Sequence, residues 1–163
     1  MKILLVEDNV LDLELARRAL EREVPQLALT IVSSVAQALA VLQPGADFDV
    51  VLTDLRLPDG SGLDVLNSIR RAGLPHAVVV LTGQGDEETA VGAVKAGADD
   101  YVAKRSGYYS RLPHIAQTAL ARFRQETRRK SGLLRVLYAE HNAVDVELAR
   151  RHLEQHAPHI KLQ

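Results

Sequence analysis

Short apolar, β-rich runs alternate with longer segments of helical period five times over, and this alternation limits the chain to few architectures. Ile3-Leu4-Leu5-Val6 is followed by Leu11, Leu15, Ala19 and Leu20 at three-to-four spacing, a strand and then an amphipathic helix. The pattern recurs as Leu29 to Val32 then Val35 to Leu42, Val50 to Thr53 then Gly62 to Ile69, and Val78 to Thr82 then Glu87 to Ala96. A fifth strand, Tyr101 to Ala103, precedes a helix from about Tyr109. Five strand-helix units in succession require parallel strands joined by right-handed crossovers, hence an α/β sheet with helices on both faces. Breakers fall between the elements: Pro25, Pro44-Gly45, Pro58-Asp59-Gly60, Gly73 with Pro75, and Gly97.

The last helix runs on from Ala116 to Lys130 without proline or glycine and reads as an extended connector. Its end, Arg122 to Lys130, is basic but short and holds a single aromatic, Phe123, so a solvated helix leading to another domain is expected rather than a nucleic-acid surface. The formal net charge of −1 gives no bulk attraction to nucleic acid or to an anionic membrane.

Self-comparison reveals an internal repeat. VEDNVLDLELARRALE from Val6 reappears from Ala139 as AEHNAVDVELARRHLE, and the alignment extends without a gap to Lys2 with Arg135, Pro25 with Pro158 and Leu29 with Leu162. Residues 1–125 therefore read as one complete domain, 126–133 as a helical linker, and 134–163 as the strand-helix-strand start of a second domain. The copy stops at Gln163, before any counterpart of Asp54, so the natural protein is expected to be longer and to hold at least two such domains. The apolar strand Leu133 to Tyr138 then needs a partner: the intact domain, a second chain, or none if it is disordered. His141 stands where the first copy has Asp8, which suggests a degenerate second site.

Ligand sites of doubly wound sheets lie beyond the C-terminal ends of the strands. Glu7 and Asp8 follow the first strand, Asp54 ends the third, Thr82 and Gly83 end the fourth, and Lys104 follows the fifth. Three carboxylates crowded together repel one another unless a cation joins them. With no cysteine in the chain, an oxygen-ligated ion such as Mg²⁺ is the expected cofactor. With that charge offset, Asp54 can attack phosphorus, Lys104 can stabilise the equatorial oxygens and the Thr82 hydroxyl can bond the transferred group.

Glu7-Asp8, LTDLRLPDGSG with Asp54, LTG with Thr82, and GADDYVAK with Tyr101 and Lys104 together resemble two-component response-regulator receiver domains over residues 1 to about 125. The resemblance implies a flavodoxin-like, doubly wound five-stranded sheet of strand order 2-1-3-4-5. It implies phosphotransfer to Asp54 from the phosphohistidine of a sensor histidine kinase or a phosphotransfer protein. It also implies a Mg²⁺ site made by Glu7, Asp8, Asp54 and the backbone carbonyl of Arg56. The switch it implies is an inward movement of the Thr82 hydroxyl followed by Tyr101, a shift between two packings read by a downstream effector domain. Homodimer formation is left open.

Such a domain turns over no external metabolite; it is not an enzyme beyond catalysing its own phosphorylation and dephosphorylation. A dehalogenase-type hydrolase also uses a strand-end Asp nucleophile, but wants a second Asp two residues on, where this chain has Arg56. A constitutive docking domain with an unused pocket is the third alternative. Apolar runs are far shorter than the roughly 20 residues needed to cross a bilayer, and no signal-peptide core follows Met1, so no membrane association and a cytoplasmic location are expected. One departure from the family pattern stands out: many receivers place proline after the site lysine, and here the sequence is Lys104-Arg105-Ser106. A trans peptide with a rearranged loop, or local strain, is expected there.

Overall fold

The computed structural model describes residues 1–83, 87–131, 134–136, 143–156 and 160–162. Two compact units emerge, Met1–Phe123 and Arg124–Gln163. In the first unit the elements are β1 (Lys2–Val6), α1 (Val10–Glu23), β2 (Ala28–Val32), α2 (Val35–Val41), β3 (Val50–Asp54), α3 (Gly62–Arg71), β4 (Ala77–Thr82), α4 (Glu87–Lys95), β5 (Asp100–Ala103) and the part of α5 (Leu112–Ser131) up to Phe123. The five strands pair in parallel in the order β2-β1-β3-β4-β5, as the resemblance implies for a flavodoxin-like sheet.

Burial follows from position in the sheet. β3 and β4 are covered on both faces and are buried along their whole length, which is why Val50-Val51-Leu52 and Ala77 to Leu81 read as unbroken apolar runs. Ile3, Leu5, Leu52 and Val79 point to one face and pack with Leu20 of α1 and Leu112, Ala116 and Ala119 of α5. Leu4, Val6, Val51 and Val78 point to the other and meet Ala38 of α2 and Leu66 and Ile69 of α3. Ala93 of α4 closes the second layer against Val80 and Leu55.

Helix starts are fixed by side-chain caps. Asn9 accepts from the backbone N–H groups of Leu11 and Asp12, Ser34 from Gln37, and Ser61 from Leu63 while Asp64 reaches back to the Ser61 N–H. Asp59, in the turn after β3, adds a second cap to α2 by accepting from Val35 N at 2.7 Å and Ala36 N at 2.9 Å. Between β3 and α3 the chain also forms a two-residue antiparallel ladder, Arg56–Leu57 with Gly60–Ser61, which periodicity is too coarse to reveal.

At the opposite end of the sheet Arg70 braces three segments. Its guanidinium donates to Gly97 O at 2.8 Å, His76 O at 2.9 Å and the Asp99 carboxylate at 2.7 Å, and Asp99 also accepts from Val78 N.

The final helix begins later than its periodicity suggests. A 3-10 turn at Tyr108–Arg111 precedes Leu112, because Pro113 has no N–H to donate back to Tyr109 and fits only the first turn of an α-helix.

In the second unit, β6 (Leu134–Val136) and β7 (Ile160–Leu162) pair in parallel across α6 (Ala143–His156). Arg135 faces Lys161, the repeat counterparts of Lys2 facing Ala28, so the two copies share one register. Within its own unit the Leu134–Val136 strand thus has the return strand as a partner, a pairing the sequence did not suggest. A parallel strand needs only a helical crossover to supply it. His141 lies outside the described residues.

Candidate functional site

Every strand-end residue singled out in the sequence lies at the same edge of the sheet, because parallel strands in one register all end together. Asp54 is the last residue of β3 and keeps 9% of its surface exposed, while Glu7, just past β1, is 1% exposed. Carboxylate oxygens of Glu7, Asp8 and Asp54 lie within 4.8 Å of one another, close enough to share one cation. Oxygen donors in that number suit a hard ion that retains waters, so the cluster fits Mg²⁺.

The Lys104 ammonium enters the cluster from the end of β5. Its Nζ stands 2.6 Å from Asp54 Oδ2, 2.7 Å from Glu7 Oε2 and 3.0 Å from Asp12 Oδ2. Burial works against this charge, but the bonds to Asp54, Glu7 and Asp12 outweigh it and hold the lysine above its ordinary pKa. Burial likewise pushes the Glu7 carboxyl up, against the pull of Lys104. Asp12 goes the other way: burial opposes its charge, yet the Tyr109 hydroxyl and the ammonium together hold it below the usual range.

The loop from β3 to α3 comes very close to the Asp54 backbone. A Cβ on Gly62 would lie 2.3 Å from Asp54 O and 2.9 Å from Thr53 Oγ1, so only glycine fits there. Gly62 N donates to Leu55 O at 3.0 Å, and Arg56 N approaches Asp54 Oδ1 at 3.4 Å. The Arg56 side chain is exposed.

Thr82 ends β4 and is buried; its hydroxyl makes a long 3.4 Å bond to Val102 O of β5. Tyr101 is 46% exposed, on the outer side of β5 beside a cleft of about 830 Å³ that Thr82, Lys104 and Tyr108 also line.

No cis peptide occurs among the described residues, so Lys104–Arg105 is trans. The chain turns there through Gly107, whose φ of 76° is left-handed. Asp12 and Tyr109 are the site residues that sequence reasoning missed. Asp12 sits in the first turn of α1, where an acidic residue reads simply as a partner for the helix dipole.

A doubly wound parallel sheet that gathers three carboxylates, a hydroxyl and an ammonium at its C-terminal edge has the build of a phosphoacceptor signalling domain. The family model described as response regulator receiver domain matches residues 3–113, and the chain belongs to that family. Methanogenesis regulatory protein FilR1 of Methanothrix harundinacea (strain 6Ac) is 38% identical over 135 residues, which make up 80% of this chain and 30% of FilR1. Acid tolerance regulatory protein ActR of Rhizobium meliloti (strain 1021) is 43% identical over 102 residues, 63% of this chain and 51% of ActR. The chain thus spans about half or less of these curated relatives.

Among solved structures, a response regulator receiver domain protein (CheY-like) from Methanospirillum hungatei JF-1 superposes with a TM-score of 0.67 at 26% identity, covering 77% of this chain and 97% of that one. A response regulator receiver domain protein from Clostridium thermocellum gives 0.61 at 30% identity, with coverage of 79% and 95%. No helix among the described residues is long and apolar enough to cross a membrane.

Proposed function

We propose that Asp54 accepts a phosphoryl group from the phosphohistidine of a sensor histidine kinase or phosphotransfer protein, and that this modification switches an interaction surface. The observation that carries the reading is the contact of Lys104 Nζ with Asp54 Oδ2 at 2.6 Å, inside a cluster whose other carboxylates reach the same point. An Asp54 oxygen attacks phosphorus as the P–N bond of the donor breaks. The imidazole leaves with the electron pair of that bond and takes up a proton. Lys104 stays beside the transferred group and faces its oxygens, where a fixed positive charge in a partly dry site stabilises the transition state.

Glu7, Asp8, Asp54 and the Arg56 carbonyl would hold Mg²⁺, which when bound supplies charge neutralisation at the phosphoryl oxygens. Thr82 exchanges its long bond to Val102 O for one to the phosphoryl group, and the exposed Tyr101 moves inward after it. The domain turns over no metabolite; it catalyses its own phosphorylation and dephosphorylation in the cytoplasm and passes the change to an effector domain of a longer chain, or to a second copy of itself.

Intact mass after incubation with Mg²⁺ and a small acyl phosphate tests this. The parent is expected to gain one phosphoryl group, and Asp54→Ala or omission of Mg²⁺ to abolish the gain. No gain by the parent, under conditions that label a receiver of known activity, refutes the proposal.

A further inference from the structure

The Lys104 ammonium has three N–H donors, and three carboxylates take them. Asp54 and Glu7 belong to the acceptor cluster. Asp12 does not: it comes from the first turn of α1 and lies outside the group of carboxylates that could share a cation. Its second oxygen, Oδ1, accepts from the Tyr109 hydroxyl at 2.7 Å. Each Asp12 oxygen therefore has a strong partner, and the carboxylate is fixed in orientation from both sides.

Tyr109 reaches Asp12 by way of the segment that departs from the family pattern. Arg105-Ser106-Gly107 turns through the left-handed Gly107 into the 3-10 turn Tyr108–Arg111, and Tyr109 is thereby set over the start of α1. Proline after the site lysine would restrain the backbone there. In this chain that restraint is absent, and a side-chain tether occupies the same region.

We propose that Asp12, held by Tyr109, is a positioning residue for phosphoryl acceptance: it keeps the Lys104 ammonium beside the acceptor oxygens. The inference rests on Asp54 being the acceptor. When Asp54 takes the phosphoryl group, the N–H now spent on Asp54 Oδ2 is the one that turns to a phosphoryl oxygen. The other two remain on Glu7 and Asp12 and hold the nitrogen from two sides. Without Asp12 a single anchor remains on a flexible four-carbon stem, and the preorganised charge is lost.

The test is the rate of phosphoryl gain by the full chain across a range of acyl phosphate concentrations with Mg²⁺, for the parent, Asp12→Ala, Asp12→Asn, Tyr109→Phe and Asp12→Ala combined with Tyr109→Phe. Asp12→Ala should lower the limiting rate by roughly ten- to hundredfold and leave the half-saturating donor concentration unchanged, since charge is displaced and donor binding is not. Asp12→Asn, which keeps its volume and an accepting oxygen, should fall between Asp12→Ala and the parent. Tyr109→Phe should slow the parent and add nothing in the Asp12→Ala background, because the hydroxyl acts only through the carboxylate. A merely structural role predicts independent effects that track thermal stability. A limiting rate for Asp12→Ala equal to that of the parent, or a Tyr109→Phe effect of the same size in both backgrounds, overturns this inference alone. A parent that gains no phosphoryl group overturns the acceptor reading and this inference with it.

Discussion

Replacing Gly62 by alanine places a methyl group 2.3 Å from the carbonyl oxygen of Asp54 and 2.9 Å from Thr53 Oγ1. That is about 1 Å short of an ordinary carbon–oxygen contact. The first clash is with backbone at the end of a strand buried on both faces, so neither side can yield cheaply. Overpacking of this kind costs about 3 kcal/mol, and the smaller conformational freedom of unfolded alanine returns up to about 1. A net loss of about 2 kcal/mol corresponds to a fall in melting temperature of roughly 4–8 °C for a chain of this length.

Gly92 supplies the internal contrast. It lies inside α4, and a Cβ built there meets nothing within 4 Å. The same substitution should stabilise by about 0.5–1 kcal/mol, because alanine is the better helix former. Urea titrations of the parent and both variants read the two values from shifts in midpoint at constant slope. Gly62→Ala as stable as the parent would refute the steric argument, as would losses of equal size at both positions.

Arg70→Ala should destabilise by roughly 2–3 kcal/mol, since three carbonyl or carboxylate acceptors lose a charged donor together. Arg70→Lys should restore little of this in the same titration, because a point charge cannot span the fork; full restoration would show that charge alone suffices. The Ala36 and Val35 N–H groups hold the Asp59 carboxyl below its usual range. A carboxylate whose folded pKa is depressed contributes stability that is full above its unfolded value, about 3.9, and is lost as pH falls through the folded value. The melting difference between the parent and Asp59→Asn should therefore be constant near neutrality and shrink below about pH 4. A difference unchanged at low pH would remove Asp59 from the capping account.

The strands and their parallel order were legible because β3 and β4 are covered on both faces, which forces unbroken apolar runs, and because breakers separate each unit. The strand-end residues were legible for a related reason: in a parallel sheet, position along the chain nearly determines position in space. Asp12 and Tyr109 escaped that logic. Each lies several residues beyond its strand, and their meeting depends on how α1 and the turn after β5 rotate toward each other, which no periodicity encodes. The cap from Asp59 to α2 was hidden for the same reason, since its partners are 23 and 24 residues away.

The bonds of the Lys104 ammonium join residues 50, 92 and 97 positions apart. Contacts of such sequence separation close late, after the loop entropy between them has been offset by the rest of the sheet. A nascent or half-folded chain in which β5 has not docked holds Asp54 without its ammonium, however well β1 to β3 have formed. On the proposed reading, competence to accept a phosphoryl group would therefore arrive only once β5 has docked and the last of these contacts has closed.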